Sequence, residues 1–163
     1  MDEKNKKRMI RVFGYTREER SLSRWKEIRS RKIILRNYLI MMISKILPDT
    51  ELKNRLYRKT GMKIGSNVSI FGSNFDIFFP ELIEIGDNTV IGNKTSVITH
   101  EFLSDEWRVG RVKIGSGVTI GTMTVVMPGV EIGDGATVAA YSLVNRDVKK
   151  GSLVGGVPIK KLR

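Results

Sequence analysis

The sequence predicts a mainly β protein, a parallel β-helix with an α-helical segment in front of it. Small or β-branched residues such as Val118 and Thr124 stand two positions before aliphatic residues. Those aliphatics recur every six positions over one long stretch: Ile114, Ile120, Val126, Ile132, Val138 and Val144. Six is neither the 3.6-residue period of a helix nor the two-residue period of a strand, and it is the period of hexapeptide solenoids. The pattern therefore predicts short strands joined by tight corners, three strands to a coil.

The repeat extends towards the N-terminus and breaks once there. Ile64-Gly65, Ile85-Gly86 and Ile91-Gly92 carry the same unit. Gly, Asn and Asp gather at the predicted corners, where they tolerate positive φ. Ile64 and Ile85 are 21 residues apart, three more than a coil of three hexads. We therefore expect a bulge or short loop between them, with Pro80 in it.

A second break follows His100. Val97 and Ile114 are 17 residues apart, which no multiple of six gives, and residues 101–111 are largely polar. We expect this stretch to be a loop that leaves the coil. Loops on rigid scaffolds often carry functional residues.

Charge and glycine divide the chain into two regions. Residues 1–60 hold 18 Lys and Arg against 7 Asp and Glu, and one of the 16 glycines. We therefore expect a basic α-helical region at 1–60 and the β-helix domain at 61–163. The start, 1–11, reads as a solvated basic tail. Helical patterns cover 16–32, 30–47 and 49–59, with Leu52, Leu56 and Tyr57 on one side of the last helix.

The basic region leaves two roles open. Its helices could pack their apolar face on the first coil, or a basic interfacial helix could hold the protein at an anionic membrane surface. The apolar run near 33–47 is too short and too interrupted to span a bilayer. Nucleic-acid binding is not favoured, because no recognition motif accompanies the charge.

Composition excludes several kinds of chemistry. The chain has no cysteine, so we expect neither disulfides nor a thiol nucleophile. A zinc site such as that of the β-helical carbonic anhydrases needs several histidines, whereas this chain has one, so no metal is expected. Residues 1–11 are charged and lack the apolar core of a signal peptide. We therefore expect a cytoplasmic protein, with peripheral membrane contact as the open alternative.

His100, the single histidine, stands where the chain leaves the coil. Imidazole gains and loses its proton near neutral pH, so His100 is a candidate general base. The alternative is a structural or surface histidine.

The repeat, His100 and the ending Gly155-Gly156-Val157-Pro158 resemble the hexapeptide-repeat acyltransferases, in the branch of maltose, galactoside and other sugar O-acetyltransferases. The resemblance covers 61–163. It implies a left-handed coil and direct transfer of an acetyl group from acetyl-CoA to a hydroxyl of a sugar or related acceptor. It also implies a homotrimer with active sites between neighbouring subunits.

The resemblance assigns roles to individual residues. His100 would be the general base, and Asn74 would contact the acceptor or the developing oxyanion across the subunit boundary. The group that orients His100 stays open between a backbone carbonyl, Asp105 and Glu106. The positions that match acetyl-CoA contacts are Thr122, Ala140, Asn145, Arg146, Lys160 and Arg163.

Two other functions remain open at this point. The acceptor could be an amine, on an amino sugar or an antibiotic, rather than a hydroxyl. Alternatively, the β-helix could be a non-catalytic interaction module.

Overall fold

Three parallel sheets form the body of the protein in a computed structural model, which describes residues 10–14, 28–103 and 106–162. The first sheet holds β2 (Lys63–Ile64), β5 (Ile83–Ile85), β10 (Val112–Ile114) and β13 (Glu131–Ile132). The second holds β3 (Ser69–Ile70), β6 (Val90–Ile91), β11 (Thr119–Ile120), β14 (Thr137–Val138) and β16 (Leu153–Gly155), with β17 (Lys160–Lys161) antiparallel at its end. The third holds β4 (Asn74–Phe75), β7 (Ser96–Val97), β12 (Val125–Val126) and β15 (Leu143–Val144). The chain visits these sheets in turn, which is consistent with a left-handed β-helix.

Each sheet contributes one column of aliphatic side chains to a common core. In the first sheet, Ile64, Ile85, Ile114 and Ile132 stand in register on successive strands, and all are buried. The small residues two positions before the aliphatics, such as Thr89, Val118 and Ala136, are buried as well. The six-residue period therefore predicted the core correctly. The corners turn at residues with positive φ, among them Asn67 and Asn88.

A fourth, antiparallel sheet stands beside the coil. It consists of β1 (Ile10–Gly14), β8 (His100–Phe102) and β9 (Glu106–Val109), in the order β1, β9, β8. The expected loop at 101–111 is therefore largely a β-hairpin. Residues 10 and 11, expected to be part of a solvated tail, begin the strand that pairs with β9. We call this sheet the hairpin sheet.

Two helices cover the first coil: α1 (Arg31–Ile46) and α2 (Glu51–Arg58). The strands of this coil are the last in their sheets, so their outer carbonyls lack a strand partner. Side chains of α2 replace it. Lys53 donates to the Ile70 carbonyl at 2.6 Å, Asn54 to the Val68 carbonyl at 2.7 Å, and Arg58 to the carbonyls of Ile64 and Gly65 at 2.9 and 2.7 Å. An unpaired buried carbonyl is costly, so these bonds make α2 an end cap.

The helices present the predicted apolar faces to the coil only in part. The buried face of α1 is formed by Asn37, Met41 and Ser44, and Asn37 donates to the Ile77 carbonyl at 2.9 Å. On α2, Tyr57 is buried as expected, but Leu52 is exposed and Lys53 and Asn54 are buried in its place. Apolar packing holds for Met41 and Tyr57, which join the core, but Lys53 and Asn54 take the place of Leu52 because the end of the ladder needs hydrogen-bond donors. The predicted helix at 16–32 lies largely outside the described residues.

We expect Asn54→Ala to reduce the free energy of unfolding by about 1–3 kcal/mol, because it leaves the buried Val68 carbonyl without its donor. Urea unfolding would measure the loss. Arg55→Ala is the matched control on the same helix. Its side chain is 72% exposed and pairs only loosely with Glu51, so it should cost under about 0.5 kcal/mol. Equal losses in the two variants would contradict the capping role of Asn54.

Candidate active site

Asp76 holds the imidazole of His100. Its Oδ2 lies 2.5 Å from His100 Nδ1, and the Asp76 side chain is almost completely buried. A carboxylate only accepts hydrogen bonds, so the proton of the neutral ring lies on Nδ1 and Nε2 is left as a proton acceptor. Within the described part of the chain, Nε2 has no hydrogen-bond partner. The His100 side chain is partly buried, with 16% of its surface exposed.

The three-residue insertion in the first coil builds this arrangement. Asp76 directly follows β4, and its Oδ1 accepts from the backbone N–H groups of Phe78 at 2.8 Å and Phe79 at 3.3 Å. Its Oδ2 also accepts from the Thr99 N–H at 2.9 Å. The insertion then closes with a 3₁₀ turn at Pro80–Leu82, which confirms the predicted bulge containing Pro80.

The environment of Asp76 keeps it ionised. Burial alone raises the pKa of the carboxyl, but hydrogen bonds and charge from His100, with the bonds from Thr99, outweigh burial and lower it below its ordinary value. Asp76 is therefore a negative group placed behind His100. Such a group fixes the tautomer of the ring and stabilises the imidazolium that forms when Nε2 takes a proton.

Aromatic rings pack around the histidine. The ring centroids of Phe78 and Phe102 lie 4.9 and 4.8 Å from that of His100, and Phe79 lies 6.0 Å away. Trp107 of β9 stacks on Phe79 at 5.5 Å. The backbone of His100 is paired with Val109 in the hairpin sheet. These contacts hold the imidazole in one orientation and keep water from one side of it.

Asn74 is held by the end cap. Lys45 Nζ of α1 donates to Asn74 Oδ1 at 2.5 Å. An ammonium group can only donate, so this bond fixes the orientation of the amide and turns both Nδ2 hydrogens away from Lys45. No hydrogen bond joins Asn74 to His100 within the described part of the same chain. Lys45 and Thr122 line one groove of about 480 Å³ beside α1.

The residues predicted to bind acetyl-CoA fall at two sides of the third sheet. Thr122 and Ala140 lie exposed in the corners before β12 and β15, stacked through a bond from the Tyr141 N–H to the Thr122 carbonyl at 2.9 Å. We call the side at which the chain enters these strands the entry side. Asn145 and Arg146 directly follow β15. They lie on the side at which the chain leaves the strands, which we call the exit side.

The C-terminal segment joins the exit side. Arg146 donates to the Ile159 carbonyl and lines a groove of about 410 Å³ together with Lys160. Arg163 lies outside the described residues. The structure thus brings Arg146 and Lys160 together, and separately Thr122 and Ala140, but it does not bring the two pairs into one pocket.

The catalytic candidates divide in the same way. Asn74 begins β4 on the entry side, whereas His100 follows β7 on the exit side. Within one chain, the two catalytic candidates therefore lie on different sides of the third sheet.

Asp76 is the residue that sequence reasoning missed. The candidates for orienting His100 were a backbone carbonyl, Asp105 and Glu106, and the structure gives this position to Asp76. A signal was present, because Asp76 stands at the start of the insertion, directly after the inward-facing Phe75. Phe75 pairs with Val97, so the two chain segments leave the third sheet side by side and bring Asp76 close to His100.

The described residues offer neither a metal site nor a membrane-spanning helix. They contain no group of three or more His, Cys, Asp or Glu side chains that could hold a metal ion. Among them there is also no helix with the length and hydropathy needed to cross a membrane.

The lowered pKa of Asp76 predicts how acid affects stability. Its carboxylate contributes stability above the unfolded pKa, near 4, and this contribution is lost as the pH falls through the lower pKa of the folded state. We expect Asp76→Asn to lower the free energy of unfolding by about 1–3 kcal/mol near neutral pH. In urea unfolding between about pH 5 and about pH 2, the difference from the wild type should shrink. A difference that stays constant over this range would contradict the assignment.

Comparison with known proteins identifies the family. Residues 111–146 match the bacterial transferase hexapeptide (six repeats) family. The putative acetyltransferase YvoF of Bacillus subtilis is 43% identical over 129 residues, 78% of this chain and 75% of that protein. The acetyltransferase VCA0836 of Vibrio cholerae, complexed with acetyl-CoA, has a TM-score of 0.64 at 25% identity over 81% of this chain and 86% of its own. Galactoside acetyltransferase in complex with coenzyme A shares the fold, with a TM-score of 0.63 at 21% identity over 81% and 80% of the chains. YvoF matches most of this chain at 43% identity, and residues 111–146 match the repeat family. This chain therefore belongs to the hexapeptide-repeat acetyltransferases.

Proposed function

We propose that this protein is an O-acetyltransferase that moves the acetyl group of acetyl-CoA directly to a hydroxyl of a sugar or related acceptor. The observation that carries the proposal is the Asp76–His100 pair, with the unpartnered Nε2 at the side of the third sheet. Acetyl-CoA as the donor is supported by the relative YvoF, named a putative acetyltransferase, and by VCA0836, which was solved with acetyl-CoA. The sugar hydroxyl is supported by the resemblance of the repeat to the sugar O-acetyltransferases.

In the proposed reaction, His100 Nε2 removes the proton of the acceptor hydroxyl as that oxygen attacks the thioester carbonyl. Asp76 stabilises the resulting imidazolium. The new C–O bond forms, the C–S bond breaks, and the imidazolium returns its proton to the leaving thiolate. No covalent enzyme intermediate is needed, in agreement with a chain that has no cysteine.

Asn74 supplies the group that stabilises charge on the carbonyl oxygen. Because Lys45 occupies Oδ1, the Nδ2 hydrogens are free to donate to a developing oxyanion. The two sides of the third sheet support a homotrimer on a left-handed coil, in which Asn74 of one subunit faces His100 of the next. The same arrangement would join Thr122 and Ala140 of one subunit to Asn145, Arg146, Lys160 and Arg163 of its neighbour along acetyl-CoA.

His100→Ala should lower kcat by about 10²- to 10⁴-fold, the contribution typical of a general base. Release of the CoA thiol, followed with a panel of mono- and disaccharides and amino sugars, would measure it. Binding of acetyl-CoA should change little, because the ring acts on the acceptor. Turnover like that of the wild type would remove His100 from the mechanism. Faster turnover with amino sugars than with hydroxyl acceptors would replace the O-acetyl assignment by N-acetyl transfer.

A mixture of two inactive variants tests the shared site. Asn74→Ala and His100→Ala should each be nearly inactive, and subunits of the two, unfolded and refolded together, should recover activity. With random assembly, about a quarter of the interfaces join an intact Asn74 to an intact His100, so about a quarter of wild-type activity is expected. The two variants refolded separately and then mixed are the control. No recovery in mixed trimers would place both residues in the same subunit's site.

A further inference from the structure

Helix α1 carries six apolar side chains on the face that points away from the coil. Asn37, Met41 and Ser44 face the coil and are buried. Spacings of three and four residues place the six on the opposite side of the helix. All six are exposed, and we call them the outer stripe: Leu35, Tyr38, Leu39, Met42, Ile43 and Ile46.

An apolar outer face is unusual for an end cap. The caps of solenoid proteins normally present a polar surface to water, whereas Ile46 leaves 83% of its surface exposed. A contiguous apolar patch marks an interaction site. The coil-facing side of α1 is occupied by Asn37, Met41 and Ser44, so the six side chains of the outer stripe are left without a partner among the described residues.

The charges beside the stripe favour an anionic partner. Helix α1 contains no acidic residue. Arg31 and Lys32 lie exposed at its N-terminal end, and Arg36 is exposed one turn later. In a second copy packed stripe to stripe, α1 would offer no acidic side chain to pair with these cations. Anionic lipid headgroups attract them instead.

The dimensions fit a helix that lies on a membrane. Sixteen residues of α-helix are about 24 Å long, too short to cross the hydrocarbon core. A helix with an apolar face and basic residues beside it lies in the interface, with that face in the acyl region. We propose that the outer stripe binds the protein reversibly to membrane surfaces that contain anionic lipid. The proposal does not depend on the acetyl-transfer reaction.

Vesicle co-sedimentation of the full chain tests this. We expect binding to vesicles of phosphatidylcholine mixed with phosphatidylglycerol at low salt, weaker binding at high salt, and little binding to phosphatidylcholine alone. Leu39→Gln with Ile43→Gln should weaken binding about tenfold or more, since two apolar side chains leave the acyl region. Glutamine keeps the helix propensity, and Leu35→Gln with Met42→Gln is a second stripe variant in case the first fails to fold.

Leu52→Gln is the matched control, because Leu52 lies on α2, outside the stripe, and is as exposed as Leu35, at 58%. It should bind vesicles like the wild type. Equal weakening by Leu52→Gln would overturn the assignment to α1, and absence of binding at low salt would overturn the proposal. Stripe variants that change the oligomeric state in sedimentation, without any vesicle binding by the wild type, would assign the stripe to a second copy.

Discussion

The fold depends on satisfying the backbone at the open end of a ladder of very short strands. Every coil pairs its N–H and C=O groups with the coils on either side. The first coil has a neighbour on one side only, so a row of its carbonyls has no strand that could donate to it. Lys53, Asn54 and Arg58 supply donors to that row. This requirement explains why α2 buries polar side chains. Helix α1 is fixed separately, by the bond from Asn37 to the Ile77 carbonyl in the insertion after β4.

The same end cap reaches into the candidate site. Lys45 of α1 holds the amide of Asn74, and the insertion after β4 provides the carboxylate that holds His100. The first coil therefore has two tasks, closing the core and positioning the polar groups on both sides of the third sheet. The N–H groups of Phe78 and Phe79, which lie in the insertion, donate to Asp76, so the irregular spacing is part of the site.

The parts of the structure that depend on periodicity could be predicted from the sequence. The aliphatic residues from Ile114 to Val144 stand in columns because they recur every six residues. The three extra residues near Pro80 indicated a bulge. The partner of His100 was not predicted, because it comes from 24 residues earlier and only the pairing of Phe75 with Val97 brings it near. The orientation of α1 was also missed. Apolar residues lie on several sides of α1, so its sequence does not reveal which side faces the coil, where Asn37 donates to the Ile77 carbonyl.

The strand at Ile10–Gly14 has a consequence for the order of folding. Its partner, β9, ends at Val109, so these two segments meet only after about a hundred intervening residues have been placed. Contacts between residues so distant in sequence form slowly, because the chain between them must lose its entropy first. Coils can add to one another locally, one hexad after the next. The hairpin sheet beside His100 should therefore be among the last parts to form, and during synthesis its first strand must wait for most of the chain to emerge.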